Sequence, residues 1–288
     1  FAGVLLSIIY PTDNIFNKIY NILSKSINPY LSTVEDEIRD IGETIDDSFS
    51  KEMHKLLNNA RTSEMSVVLP NNAVNLGLSV KTRDEIIKKY DLGNRLKPFF
   101  PKEKRVVSFP LFRIDKYTVT NKMYAEFDEN FYYSEDQADY PVVNITFEQA
   151  RAYANWWGKD LPTEDEWEYA ARGDDFRYFP WGNDWDYESE KNKDESEKRC
   201  NTSLTGTDGA RSSKEYPKGV SPFGCFNMSG NVWEWTKTDV LNNASQAIVK
   251  GGSWSILGIM PWTWYRFSYS KEAGYQNVGF RCVLRGEL

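Results

Sequence analysis

The chain is poor in histidine, cysteine and positive charge, and each shortage narrows what it can do. A Ser-His-Asp site would have to draw on the single histidine, His54, from a helix in the first hundred residues. Three cysteines (Cys200, Cys225, Cys282) cannot all pair within one chain, so no disulfide framework holds it together. One pair plus a free thiol stays open. The net charge of -7 excludes the basic footprint that nucleic-acid binding needs. Long apolar runs are also missing. The longest, Phe1–Tyr10, is broken by Pro11 and is half of the roughly 20 residues that span a bilayer. It reads either as the tail of a processed export signal or as a buried terminal strand or helix end.

What is present divides the chain in two. With 40% hydrophobic and 15% aromatic residues, 288 residues suffice for one large domain, or a domain plus an appendage. Residues 1–105 carry 15 Lys+Arg against 14 Asp+Glu, and the remainder 20 against 28, so the acidity belongs to the second part. All ten tryptophans and all three cysteines lie after residue 150. The expected division is a helical N-terminal extension over 1–105 and a second domain over 106–288.

The extension shows helical spacing. Ile15, Phe16, Ile19, Ile22, Leu23 and Ile27 recur along one face until Pro29. Ser32-Thr33-Val34-Glu35 offers a capping box for a long amphipathic helix over 33–60, with Val34, Ile38, Ile41, Ile45, Phe49, Met53 and Leu56 on its stripe. Thr82–Glu85 predicts the cap of a further short helix ending near Gly93. Nothing here carries chemistry; His54 on the long helix reads as a packed or solvated side chain.

From about Ser108 the pattern changes. Phe109–Tyr117 reads as a strand, and Thr120 begins a short helix with Tyr124 and Phe127. Thr146–Gln149 and Thr163–Glu166 are capping boxes for two helices, the second stopped by Gly173. Gly-, Asn- and Asp-rich loops with isolated aromatics and short strands follow. Helices first and a loop-rich, Trp-heavy β region afterwards give an α+β domain, and the lack of strand–helix alternation argues against a doubly wound sheet.

Six motifs then stand in order between Asp115 and Leu284: DKYTVTNKMYAEF, YPVVNITFEQARAYANWWGKDLPTEDEWEYAARG, YFPWGN, SPFGCFNMSGNVWEWT, VKGGSW and NVGFRCVL. They resemble the formylglycine-generating, sulfatase-modifying family, whose fold is a variant of the C-type lectin fold. The resemblance covers about 60% of the chain and is silent on residues 1–105. It implies an oxidoreductase only if the family's copper-binding cysteine pair follows the GGS motif, because soft thiolates select Cu(I). Residues 254–266 contain no cysteine; the nearest positions are Ile256 and Pro261. Cys282 matches a structural cysteine of some relatives, whose partner position falls on Ala154. An iron-dependent enzymatic branch of the fold uses several histidines, which this chain does not have. The acidic run Glu164, Asp165, Glu166 and Glu168 suits a helix N-terminus without any catalysis.

The chain also resembles the variable proteins of diversity-generating retroelements, in its GGSW opening, its GFR closing and its missing cysteines. That resemblance implies a non-catalytic display protein with a variable segment over 249–284, exported or on a bacterial cell surface; a cytoplasmic location is the alternative. Its ligand would be a protein or glycan on another cell or molecule, with no nucleic acid. Mutation confined to the adenines of asparagine codons cannot produce Trp, Met, Lys, Gln or Glu. Trp262, Trp264, Lys271, Glu272, Gln276 and Met260 are therefore expected to be fixed. The positions expected to vary and contact ligand are Ser255, Ile256, Leu257, Ile259, Pro261, Thr263, Tyr265, Phe267, Ser268, Tyr269, Ser270 and Tyr275. Tyr and Ser are what recognition surfaces use, the first for rigid area and the second for adaptable hydrogen bonds. Trp254, Trp262 and Trp264 read as core rather than contact. Two competing readings are an unusual formylglycine-generating relative and a non-variable carbohydrate- or protein-binding module.

No cofactor is required by this reading. Relatives bind structural calcium in loops that match Asn227, Gly230, Val232 and Glu234, and Asn201, Thr202, Asp208 and Ala210. The plainer reading is that the asparagines satisfy turn backbones and Glu234 pairs with an arginine.

Overall fold

The computed structural model describes residues 64–68, 74–90, 104–205, 208–256 and 261–285. They belong to one compact unit, Arg61–Leu288. The long amphipathic helix, His54 and the first ten residues lie outside the described residues, as do Gly93, Leu257, Ile259 and Met260.

In chain order the elements are β1 (Met65–Val68), β2 (Val74–Leu76), α1 (Val80–Lys89), β3 (Arg105–Val107), β4 (Phe112–Asp115), α2 (Asn121–Ala125), α3 (Phe147–Trp156), α4 (Glu164–Arg172), α5 (Tyr187–Lys191), β5 (Trp233–Val240), β6 (Asn243–Lys250), β7 (Arg266–Ser270), β8 (Val278–Gly279) and β9 (Val283–Arg285). They form an α+β architecture with a three-stranded sheet β1-β4-β9, a ribbon β2-β3 and a four-stranded sheet β7-β6-β5-β8. Among the described residues only the β5–β8 pairing is parallel.

Residues 64–107 correct the expectation of a helical extension up to 105. β1 pairs with β4 inside the second domain, with Ser66 opposite Ile114 and Val68 opposite Phe112. Val67, Val68, Val74, Val106 and Val107 are β-branched, but runs of three or four residues are too short for a period-2 alternation to reveal a strand. α1 also begins earlier than Thr82: Ser79 is its cap, its hydroxyl accepting from Thr82 N at 3.0 Å. The strand expected over 109–117 shrinks to Phe112–Asp115, with Pro110, which has no N–H for a ladder, just before it.

Both capping boxes of the second domain are present. Thr146 Oγ1 accepts from Gln149 N at 3.2 Å and Gln149 Oε1 from Thr146 N at 2.9 Å. Thr163 and Glu166 repeat the exchange at 3.1 and 2.7 Å. Gly173, at φ 66°, ends α4. The core gathers Phe112, Ile114, Trp167, Ala170, Met228 and Val283, so α4 packs on the sheet that carries both chain ends of the domain. Cys200, Cys225 and Cys282 are all buried and free, which closes the option of an internal pair.

Candidate ligand-binding face

The frame of the site is ionic and buried. Arg281, of the closing GFR, grips Glu234 with Nε at 2.7 Å and Nη2 at 2.8 Å. Trp167 Nε1 donates to the same carboxylate at 2.6 Å, and Arg281 also donates to the carbonyls of Asp115, Lys116 and Phe226. Burial works against the guanidinium charge, but Glu234 more than offsets it, so its proton is held more tightly than usual. Lys250, which opens the KGGSW motif, is buried against Glu168 at 3.2 Å. Arg172 donates to the other oxygen at 3.2 Å, and Arg105 reaches Glu168 at 3.3 Å as well as Asp165. Burial opposes the charge of Glu168, yet Lys250, Arg105 and Arg172 together hold its carboxyl at about 2.

On this frame stands the segment expected to vary. In β7 the side chains alternate, and pairing with β6 sets Val249 opposite Phe267 and Ala247 opposite Tyr269. Phe267 and Tyr269 thereby share one face, with ring centroids 5.3 Å apart. Tyr275 closes on Tyr269 at 4.2 Å, and Trp233 and Trp235 lie beneath Phe267 and Tyr269 at 6.2 and 6.4 Å. A polar chain borders the rings: Ser253 and Ser255 share a hydrogen bond of 3.0 Å, and Asn277 Nδ2 donates to Ser255 Oγ at 3.2 Å and Tyr269 Oη at 3.5 Å.

The twelve expected contact positions do not form one surface. Ser255 and Phe267 are exposed, Phe267 by 41%, and Ile256, Tyr269 and Tyr275 are half-buried. Ser268 and Ser270 sit on the opposite face of β7, where Ser268 Oγ donates to Gln246 Oε1 at 3.3 Å. Pro261, Thr263 and Tyr265 are buried, which corrects their assignment as contacts. Thr263 is pinned by its N–H to the Tyr178 carbonyl at 2.9 Å and by its hydroxyl to the Arg177 carbonyl at 3.1 Å. Burial and the neighbouring Tyr269 push the Tyr265 phenol up to about 12. Leu257 and Ile259 lie outside the described residues. Trp262 and Trp264 are core, stacked 5.6 Å apart at 12°, and Trp254 is half-buried.

Sequence reasoning missed Asn277 and Ser253, which link the rings to the opening turn. Each stands inside one of the quoted motifs, VKGGSW and NVGFRCVL, but only the fold brings the two motifs side by side.

The chemistry this region offers is apolar where the copper ligands would be. Gly252, at φ 78°, has no side chain, and a Cβ there would lie 3.3 Å from Ile256 Cγ2 and 3.5 Å from Pro261 Cα. The two positions nearest the missing cysteines thus meet around one glycine. Burial raises the Cys200 and Cys282 thiols well above the usual range, which disfavours the thiolate that binds metal or attacks substrate. Among the described residues no group of three His, Cys, Asp or Glu side chains could hold a metal ion.

The residues matching the calcium loops do not fit that ion. Glu234, the one carboxylate of its set, is neutralised by Arg281 and also accepts from Trp167, although Asn227 Oδ1 is buried without a partner. In the other set, Asn201 Nδ2 donates to the Gly209 carbonyl at 2.8 Å, the Thr202 carbonyl accepts from Thr205, and Asp208 is exposed. Protein donors thus occupy the Glu234 carboxylate and the Thr202 carbonyl, two of the oxygens a hard cation would need.

Fold and site together define an α+β, C-type-lectin-like domain whose aromatic face is framed by buried ion pairs. Residues 54–286 match the family of the sulfatase-modifying factor enzyme 1-like domain, and the chain belongs to that family. It is 29% identical over 155 residues to the Inactive C-alpha-formylglycine-generating enzyme 2 of Bos taurus, covering 51% of each chain. It is 30% identical over 168 residues to the Formylglycine-generating enzyme of Mus musculus, covering 51% of this chain and 45% of that one. The chain thus spans about half the length of these curated relatives, which include a protein named inactive and one named as an enzyme. Among solved structures, Treponema denticola variable protein 1 superposes with a TM-score of 0.57 at 19% identity, covering 77% of this chain and 95% of that one. That likeness is one of fold.

Proposed function

We propose that this protein is a non-catalytic display protein whose 249–284 segment presents a diversified ligand-binding face, exported or held at a cell surface, with a protein or glycan on another cell or molecule as its target. The observation that carries the reading is the exchange at Gly252: apolar Ile256 and Pro261 stand where a thiol pair would be needed, next to a framed face of Phe267, Tyr269, Tyr275 and Ser255. Rigid aromatic rings supply contact area at little rotamer cost, and the serine–asparagine border supplies adaptable hydrogen bonds. The buried ion pairs behind the face let its side chains change while the backbone keeps its course. No cofactor enters this function.

Sequencing the gene from several isolates tests the reading. Changes should cluster at Ser255, Ile256, Phe267, Tyr269 and Tyr275, near a reverse-transcriptase gene and a near-copy of the coding segment. Changes spread evenly along the chain, or striking Trp262, Trp264 or Lys271, would sink it.

A further inference from the structure

A second recognition site lies outside the 249–284 segment. Between α2, the loop after it and the N-terminus of α3 is a cavity of about 350 Å³, at the small end of the range for small-molecule sites. Its walls combine rings and amides. Tyr124, Phe131, Tyr132 and Tyr133 supply the rings; Asn121, Gln137, Asn144 and Gln149 supply the amides; and Asp128 is the one charged group among the lining residues. Tyr132 is 91% exposed, which leaves its ring open to a ligand. Phe131 is held behind it, edge-on to Tyr124 at 5.0 Å and stacked with Tyr133 at 6.4 Å.

The hydrogen-bonding capacity is only partly spent. Gln149 commits Oε1 to the capping box and keeps both Nε2 protons, and Asp128 commits only Oδ1, to Asn130 N at 3.1 Å. Among the described residues no hydrogen bond uses the side-chain amides of Gln137 or Asn144. Burial and Asp128 push the Tyr124 phenol up to about 12, so it stays a proton donor. A further open depression of about 420 Å³ shares Tyr124, Asp128 and Gln149 with the cavity and continues past Phe127 and Asn130.

We propose that this trough binds a neutral oligosaccharide, with a sugar ring laid on Tyr132 and its hydroxyls divided among the Gln137, Asn144 and Gln149 amides and Asp128. Each component selects for that chemistry. The negative face of an aromatic ring attracts the polarised C–H groups of a pyranose. Amides both donate and accept, as hydroxyls do. With two carboxylates, Asp128 and Glu129, and no cation on its walls, the trough disfavours phosphates, sulfates and acidic sugars. The shared residues join two depressions, which suits a chain of sugars rather than one. The site does not depend on the display reading, because none of its residues lies in the 249–284 segment.

Isothermal titration in the presence of a chelator, with glucose, mannose, galactose, N-acetylglucosamine and their β-linked disaccharides as probes, tests the proposal. N-acetylneuraminic acid and choline serve as counter-probes. At least one neutral disaccharide should bind at or below about 10 mM, more tightly than its monosaccharide. Tyr132→Ala and Asn144→Gly should each weaken it about tenfold or more. The second substitution keeps the left-handed backbone at φ 59° accessible, and the first alters an exposed side chain, so both variants should fold. Leu241→Ala, at the exposed tip of the β5–β6 hairpin and outside the lining of the trough, should leave binding unchanged. Absence of binding by all neutral sugars, insensitivity to both trough variants, or preference for choline or N-acetylneuraminic acid would overturn it.

Discussion

Arg281 and Glu234 form a buried, two-pronged ion pair at 2.7 and 2.8 Å, joining the segment that enters β9 to the strand that runs beneath the aromatic face. Removing one partner strands the other charge. Arg281→Met alone and Glu234→Gln alone should each cost about 3–5 kcal/mol in denaturant unfolding, and the double variant less than the two costs added. Additive losses would mean the pair does not act as a unit.

Acid should unfold the protein through Glu168. Its folded pKa of about 2 lies below the ordinary value of 4.5, so the associated stability is complete above the ordinary value and is lost as pH falls toward the folded one. The contribution is of order 3 kcal/mol at neutral pH. Melting temperature should drop steeply between about pH 5 and pH 2, and Glu168→Gln should flatten that drop while lowering stability at pH 7.

The aromatic face should tolerate change that the core beneath it does not. Phe267→Ser and Ser255→Tyr should shift unfolding free energy by less than about 1 kcal/mol, whereas Trp264→Ser should cost about 3–5 kcal/mol. Equal losses at Phe267 and Trp264 would count against a surface built to vary.

Oxidation of a cysteine-containing peptide should not proceed with added copper. Mass spectrometry should show no formylglycine above a protein-free control, because Ile256 and Pro261 offer no thiolate.

Calcium should leave the melting temperature unchanged relative to a chelated sample. Arg281 and Trp167 occupy the Glu234 carboxylate that would otherwise have to bind the ion. A rise of several degrees would restore the loop around Asn227 as a metal site.

The capping boxes at Thr146 and Thr163 were legible in the sequence because they are local: each needs only residues three apart. The lectin-like architecture was legible through long motifs in order. β1 and β2 were not, since their pairing with β4 and β3 is decided by partners some 30 to 50 positions away and leaves no periodic trace in three or four residues. For the face, the sequence identified the rings but not their sides. Pleating divides Phe267 and Tyr269 from Ser268 and Ser270, and burial withdraws Thr263 and Tyr265, neither of which composition reveals. Asn277 became part of the face only through its reach to Ser255 and Tyr269.

The far end of the 249–284 segment is stitched to the start of α3. Phe147 N donates to the Lys271 carbonyl at 3.3 Å and Asn144 N to the Tyr275 carbonyl at 3.0 Å. Between these stitches a Cβ on Gly274 would fall 2.2 Å from the Asn144 carbonyl oxygen. The stretch from 271 to 275 is therefore measured against a fixed ruler. Side chains there can be exchanged one at a time, but the stretch from 271 to 275 cannot be lengthened or shortened without breaking a stitch, so on the proposed display reading any variation at this end is one of substitution and not of loop length.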